Sequence, residues 1–216
     1  MGLITIFGIN GVGKDTIANQ LKKKRPNIKI TSMSRILMYI LGITNTFETA
    51  EKVTEEQYKQ LESIPQERMK QIEENEYKDL LTMLSKKNEE TILLTHLVSA
   101  LRLGEKTIYL EDRLTPDWLV ENSNTLIQLV VPPQILSERR QNDGSRKRDT
   151  NVEEIEKHQK MCLREWGRIR KRHPSKTMYT IVNIDLDESV DTVEKVINVE
   201  QSKLNNKQKE GEEDER

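Results

Sequence analysis

A glycine-rich segment, Gly8-Ile9-Asn10-Gly11-Val12-Gly13-Lys14-Asp15-Thr16, follows directly on the apolar run Leu3–Phe7. That order, buried strand, glycine turn, lysine and helix start, is the context of a phosphate-binding loop. Gly8, Gly11 and Gly13 open backbone conformations that other residues avoid, so successive N–H groups can turn inward around a phosphate. The positive end of the following helix and the Lys14 ammonium then favour the anion. Val12 and Asp15 complete the segment that would line the phosphate. The residue after Lys14 is Asp15, and the hydroxyl suited to Mg²⁺ arrives one place later, at Thr16.

The run of elements around this loop limits the fold. Apolar segments at Ile28–Thr31, Thr91–Thr95, Thr125–Val131 and Tyr179–Ile184 read as four further strands. Helical stretches separate them: Lys14–Lys24, Ser32–Leu41, a charged region over 54–87 restarted at Pro65, Pro132 to about Asn142, and Val152–Arg172. Parallel neighbours need such crossovers, so the expected fold is an α/β protein with a five-stranded parallel sheet flanked by helices and a short lid. Thr107–Leu110 reads as a short strand or hairpin arm after Gly104, and Pro116–Glu121 as a short helix. One domain is expected over 1–200, with the lid at about 139–151. A charged tail, 201–216, is expected to be disordered. In such sheets ligands gather at the carboxyl ends of the strands, so the glycine loop and the segments after Thr31, Thr95 and Val131 open onto one cleft.

Composition narrows the partners. Charged residues make up 33% of the 216 and the formal net charge is −1, which gives no electrostatic case for nucleic acid as a partner. No apolar run reaches membrane-spanning length, and the N-terminus begins a strand where a leader would be charged, so a cytoplasmic protein is expected. Cys162 is the single cysteine, which excludes an intrachain disulfide. His96, His158 and His173 show no metal-ligand spacing. Met33, Met38, Met69, Met83, Met161, Trp118 and Trp166 read as packing residues.

Basic residues concentrate in Arg139, Arg140, Arg146, Lys147 and Arg148, across a helix end and a Gly turn. Arginines on a turn near a phosphate loop suit phosphoryl transfer, where charge spreads over the transferring group. The turn would close as a lid. On the next helix Arg164 reads as the basic residue facing the cleft. His96, at a strand's carboxyl end, has two readings: a hydrogen bond to an acceptor, or a packed histidine supporting the loop.

The lid string Arg146-Lys147-Arg148-Asp149, then Glu153-Glu154-Ile155-Glu156-Lys157-His158-Gln159 and Arg164, resembles the lid and following helix of archaeal-type adenylate kinases. The glycine loop, Thr95-His96 and Ile135–Arg140 are similar to theirs in the same order, over about residues 2 to 185. The resemblance implies a P-loop nucleoside monophosphate kinase moving the γ-phosphoryl of ATP onto AMP with Mg²⁺. Lys14 and Thr16 would hold donor phosphates, and Arg139, Arg140, Arg146, Arg148 and Arg164 would clamp phosphoryl groups. Arg35 and Lys59 fall where such enzymes bind the monophosphate. The partners implied are ATP and AMP, and the family's trimers imply a homo-oligomer. Two departures stand out. Lys59 replaces an arginine, losing its bidentate fork. Leu94 replaces the aspartate before Thr-His that helps order the water shell of Mg²⁺.

Overall fold

The first strand, β1 (Leu3–Phe7), is buried at every position, which a parallel strand covered on both faces requires. It lies at the centre of the sheet in the computed structural model, which describes residues 2–48, 54–86, 89–103, 106–144 and 148–214. The other strands of that sheet are β2 (Lys29–Ser32), β3 (Thr91–Thr95), β6 (Ser123–Val130) and β7 (Thr177–Val182). Their order is β2-β3-β1-β6-β7, and every pairing is parallel. Phe7 is level with Thr95 on one side and Gln128 on the other. The chain therefore leaves β1 for the glycine loop level with the end of β3, while β6 continues past it to Val130.

Helices cover both faces. They are α1 (Lys14–Lys24), α2 (Met33–Ile40), α3 (Glu55–Glu62), α4 (Gln66–Gln71), α5 (Tyr77–Lys86), α6 (Asp117–Asn122), α7 (Pro133–Asn142), α8 (Val152–Arg172) and α9 (Leu186–Asp214). A π-helical turn, Ile72–Glu76, joins α4 to α5. Local chemistry accounts for several starts. The Ser32 hydroxyl accepts from Arg35 N–H, and Thr54 with Gln57 forms a reciprocal capping box. Pro133 occupies the first turn of α7. Asn151 accepts from Glu153 and Glu154 N–H groups at the head of α8, whose acidic first turn and basic last turn match the helix dipole. Ile155, His158, Cys162, Trp166 and Ile169 recur at helical spacing and form the buried face of α8. Trp166 meets Phe7 edge-on, with ring centroids 5.9 Å apart.

The architecture is the expected one, with three differences. A separate antiparallel hairpin, β4 (Val98–Leu103) with β5 (Lys106–Leu114), replaces the single short arm expected at Thr107–Leu110. Two residues after β3 are too few for the crossover that another parallel strand would need, so this segment pairs with its own successor. The last strand begins and ends two residues earlier than expected, and the residue after its end, Asn183, turns its side chain onto the glycine loop. The segment expected as a disordered tail continues α9 as helix to Asp214; its Lys, Gln and Glu residues are good helix formers with no proline among them. No helix among the described residues is long and apolar enough to cross a membrane.

Phe7 carries both the strand and the α8 contact, and it is fully buried. Phe7→Ala is expected to cost about 3–5 kcal/mol in chemical denaturation, read as a lower midpoint at constant slope.

Candidate phosphate-binding site

The three loop glycines are needed for different reasons. Gly11 and Gly13 have φ of 90° and 95°, which side-chain-bearing residues rarely adopt. Gly8 is needed for space: a Cβ there would lie 2.6 Å from Val12 Cγ2 and 3.0 Å from the Leu129 carbonyl. Val12 is fully buried and holds the turn down, while Asp15 and Thr16 stand exposed at the head of α1.

Lys14 is the charge inside the turn, only 7% exposed. Its ammonium donates to the Gly8 carbonyl at 2.6 Å and to the Ile9 carbonyl at 3.3 Å. Burial is the main reason its pKa falls to about 8; Asp15 opposes the fall, and Arg148 and Arg140 add to it. The Gly8 carbonyl has a second close neighbour, His96 Nδ1 at 2.7 Å. A carbonyl only accepts, so this geometry requires the proton of neutral His96 to sit on Nδ1. Burial first, then the Lys14 charge, hold His96 well below its ordinary pKa, so the neutral form persists. Through Nδ1 the ring supports the loop.

Behind Lys14 lie two more buried groups of α8. His158 is pushed down to about 4 and the Cys162 thiol up to about 12, both mainly by burial. Both are neutral near pH 7, so neither supplies Lys14 with a counter-charge. Cys162 is buried. The neighbouring Gln159 of the lid-helix string donates to the Val131 carbonyl at 2.6 Å and ties α8 to the end of β6.

The arginines divide into distinct roles. Arg140 is buried, and its Nε and Nη2 both donate to the Asn10 carbonyl, at 3.1 and 2.8 Å. Its Nη1 donates to the Asp149 carbonyl at 2.7 Å, so one guanidinium binds the glycine loop to the far end of the basic turn. Ser137 reinforces this closure by donating to the Thr150 carbonyl. Arg148 is ion-paired with Asp143 across the turn and close enough to Lys14 to depress its pKa. Arg139 donates to the Ile184 carbonyl at 2.8 Å, after β7. Arg146 lies outside the described residues.

Arg164 is placed otherwise than expected. It is exposed on the face of α8 opposite the buried one, beside Lys157, Lys160 and Leu163. The apolar stripe through Cys162 and Trp166 sets which way α8 faces, and Arg164 falls half a turn from it. Arg35 is buried on α2, with its Nη2 3.8 Å from Asp15 Oδ1, so it stands beside the loop. Lys59 is exposed on α3. Leu94 is 3% exposed and packs in the core, level with Ile6 and Ser32. Glu111 and Asp112, on β5, have side chains outside the described ones.

Asn183 is a site residue that pattern reading missed. Its Nδ2 donates to the Val12 carbonyl at 2.6 Å, and a Cβ on Gly13 would lie 2.6 Å from that same nitrogen. Asn183 thus presses the loop from the β7 side while Arg140 holds it from α7. Its position directly after an apolar strand, at the carboxyl edge of the sheet, was the available signal.

Among the described residues no group of three or more His, Cys, Asp or Glu side chains could hold a metal ion. The exposed Thr16 hydroxyl and Asp15 carboxylate suit an ion such as Mg²⁺ that keeps several waters and takes its remaining ligands from phosphate oxygens.

A glycine loop closing on a buried lysine, at the carboxyl end of the central strand of a 2-3-1-6-7 parallel sheet, defines the P-loop class of phosphate-binding α/β proteins. No protein-family profile matches the chain. It is 30% identical over 166 residues to an adenylate kinase of Pyrobaculum aerophilum, with 72% of each chain covered. Two solved structures share the fold at low identity. TT1252 from Thermus thermophilus has a TM-score of 0.50 at 15% identity, covering 92% of this chain and 96% of its own. A shikimate kinase from Bacteroides thetaiotaomicron has a TM-score of 0.52 at 12% identity, covering 91% and 98%. The chain belongs to the P-loop kinase family.

The Lys14 ammonium sets a pH dependence. Phosphate favours the charged lysine, whose pKa in the free protein is about 8, so nucleotide binding takes up a proton above that pH. Affinity for ATP is expected to be level below pH 8 and to fall by up to about tenfold per unit above it. Calorimetry in buffers of different ionisation enthalpy checks this through the proton uptake; its absence above pH 8 would rule out Lys14 as the titrating partner.

Proposed function

We propose that the protein is an ATP-dependent phosphotransferase that moves the γ-phosphoryl of ATP onto a nucleoside monophosphate, AMP first among the candidates. The observation that carries this reading is the convergence of Lys14, Arg140 and Arg148 on one glycine loop, where among the described residues the groups of α8 behind Lys14 are the neutral His158 and Cys162. A cationic, partly dehydrated turn of this kind is suited to a polyphosphate, whose transfer depends on positioning and charge stabilisation. Support for the acceptor comes from the adenylate kinase relative and from the order of the lid string.

In this mechanism the loop N–H groups and Lys14 hold the donor phosphates, and Lys14 exchanges its bonds to Gly8 and Ile9 for bonds to phosphate oxygens. His96 keeps its bond to Gly8, so that carbonyl stays satisfied when Lys14 departs. Mg²⁺, when bound with the nucleotide, neutralises phosphate charge, and Thr16 is the side chain placed to ligate it. The segment at about 139–151 acts as the lid, with Arg140 fixing its base and Arg146 and Arg148 carried on its turn. Arg35 is placed to meet the acceptor's anionic group beside Asp15. Arg139 lies over the β7 side of the loop, where a donor would extend. Arg164, on the outer face of α8, has no part in this reading, and Lys59 offers a single charge where a fork would grip two oxygens.

Leu94 favours a second reading, a kinase for another small acceptor or a nucleotide-binding protein with slow transfer. A buried leucine stands where a carboxylate would order the metal's waters.

An ADP-release assay over the common monophosphates and small hydroxylated acceptors separates these readings. AMP is expected to give the highest turnover, and Lys14→Ala to lower it by about 10²–10³-fold with the fold retained by circular dichroism. No acceptor giving turnover above that variant would sink the transferase reading. Leu94→Asp is expected to destabilise the free protein by about 2–4 kcal/mol, since the carboxylate is buried. That loss should be partly recovered with Mg²⁺ and ATP together and not with ATP in EDTA, as read by thermal unfolding.

A further inference from the structure

The loop contains the single Asn-Gly pair of the sequence, Asn10-Gly11. Asn10 is exposed. Gly11 has no Cβ to obstruct its amide nitrogen and holds a φ of 90°. Among the described residues, neither the Gly11 N–H nor the Asn10 side-chain amide has a hydrogen-bond partner. The carbonyl of the peptide that joins them, Asn10 C=O, receives two bonds from the Arg140 guanidinium, at 3.1 and 2.8 Å.

These features fit together chemically. Deprotonating a peptide nitrogen places the negative charge largely on the carbonyl oxygen of the same peptide. A guanidinium already donating twice to that oxygen stabilises the anion, as an oxyanion hole stabilises a developing charge. The site therefore acidifies the amide that lies one residue from a carboxamide carbon.

We propose that Asn10-Gly11 is a self-modification site, at which Arg140 promotes deamidation of Asn10 and thereby disables the phosphate loop. The Gly11 nitrogen loses its proton to water or hydroxide and attacks Asn10 Cγ. The bond from Cγ to the side-chain nitrogen breaks, that nitrogen takes up a proton from water and leaves as ammonia, and a five-membered succinimide remains. Water then opens the ring at one carbonyl or the other, leaving an aspartyl or isoaspartyl unit at position 10. No oxidant or enzyme is required. The isoaspartyl product adds a methylene to the loop backbone, displacing every N–H after it, and either product sets a carboxylate where a phosphate would lie. This consequence rests on the phosphate-binding reading of the loop; the modification itself does not.

The test follows the full-length chain through several days in mildly alkaline buffer at physiological temperature. Mass spectrometry of the loop peptide reads the exchange of NH for O, methyltransferase labelling reads isoaspartate, and ATP binding is measured at each time. Position 10 is expected to convert faster than any other asparagine in the chain, and at least as fast as a free peptide of the loop sequence. Arg140→Lys and Arg140→Ala, each checked for fold by circular dichroism, are expected to slow it several-fold. Asn10→Gln, which cannot close the five-membered ring, should show no loop deamidation and keep its own starting affinity over the same period. ATP binding by the unsubstituted protein should fall in proportion to conversion, and saturating ATP should slow conversion. Position 10 remaining intact while the free peptide converts overturns the proposal. An unchanged rate in both Arg140 variants removes the role given to Arg140. Undiminished ATP binding by converted protein overturns the disabling effect. If fresh protein binds no nucleotide, the phosphate-loop reading fails, and the mass measurement still decides the modification.

Discussion

The structure around the site is organised by one buried cation. Lys14 lies inside the turn with two backbone carbonyls as its direct hydrogen-bond partners, and burial pulls its pKa down to about 8. A carboxylate in that position would relieve the cost and fill the site with its own charge. The surrounding groups avoid this. His96 and His158 are held neutral, Cys162 stays a protonated thiol, and the nearest arginines add to the positive field. The unfavourable burial of Lys14 is thus retained in the fold and becomes available to an anion that enters the turn. The β1 strand, the Phe7–Trp166 contact and the three glycines serve to keep that turn in one geometry.

Three elements brace the loop. Arg140 grips Asn10 from α7, Asn183 grips Val12 from the end of β7, and His96 grips Gly8 from the end of β3. Each comes from the carboxyl end of a different strand or from the helix that follows one, so the parallel sheet sets the spacing of the braces. Asp15 belongs to the same arrangement, since its carboxylate stands near buried Arg35. At 3.8 Å and with Asp15 exposed, this pair contributes little to stability, and its value lies in orienting Arg35 toward the loop.

Much of this was legible in the chain, and the exceptions have physical causes. The glycine loop and α1 were readable to the residue, because glycine, lysine and an amphipathic repeat are local signals. The parallel sheet followed from the crossovers between apolar runs, while the strand order β2-β3-β1-β6-β7 depends on how those crossovers pack and has no local signal. Arg164 was misplaced because a helix rich in arginine does not reveal which face is inward until its apolar stripe, Ile155 to Ile169, is set against the sheet. Asn183 went unread because a single polar residue after a strand has no periodicity to announce it. The hairpin β4–β5 was half seen, since antiparallel pairing depends on two segments and the sequence marked only one. Arg139 and Arg140 are adjacent and chemically alike, yet one reaches Ile184 and the other Asn10, a division that only the pitch of α7 decides.

The division between Arg139 and Arg140 bears on how α7 holds the glycine loop. Because Arg140 bonds both Asn10 and Asp149, the Asp149 backbone cannot shift without disturbing the peptide that opens the glycine turn. The two carbonyls are therefore coupled through one planar group whose donors are fixed relative to each other. A lysine at this position would neutralise charge equally well and would lose that coupling, because a single ammonium on a flexible stem does not constrain two carbonyls in a common plane. The adjacent Arg148–Asp143 pair has the opposite character. It joins two side chains and takes no bond from the glycine-loop backbone. Arg140 is fixed by two carbonyls and Arg148 is paired with one carboxylate, which separates the arginine that anchors the loop from the one that does not.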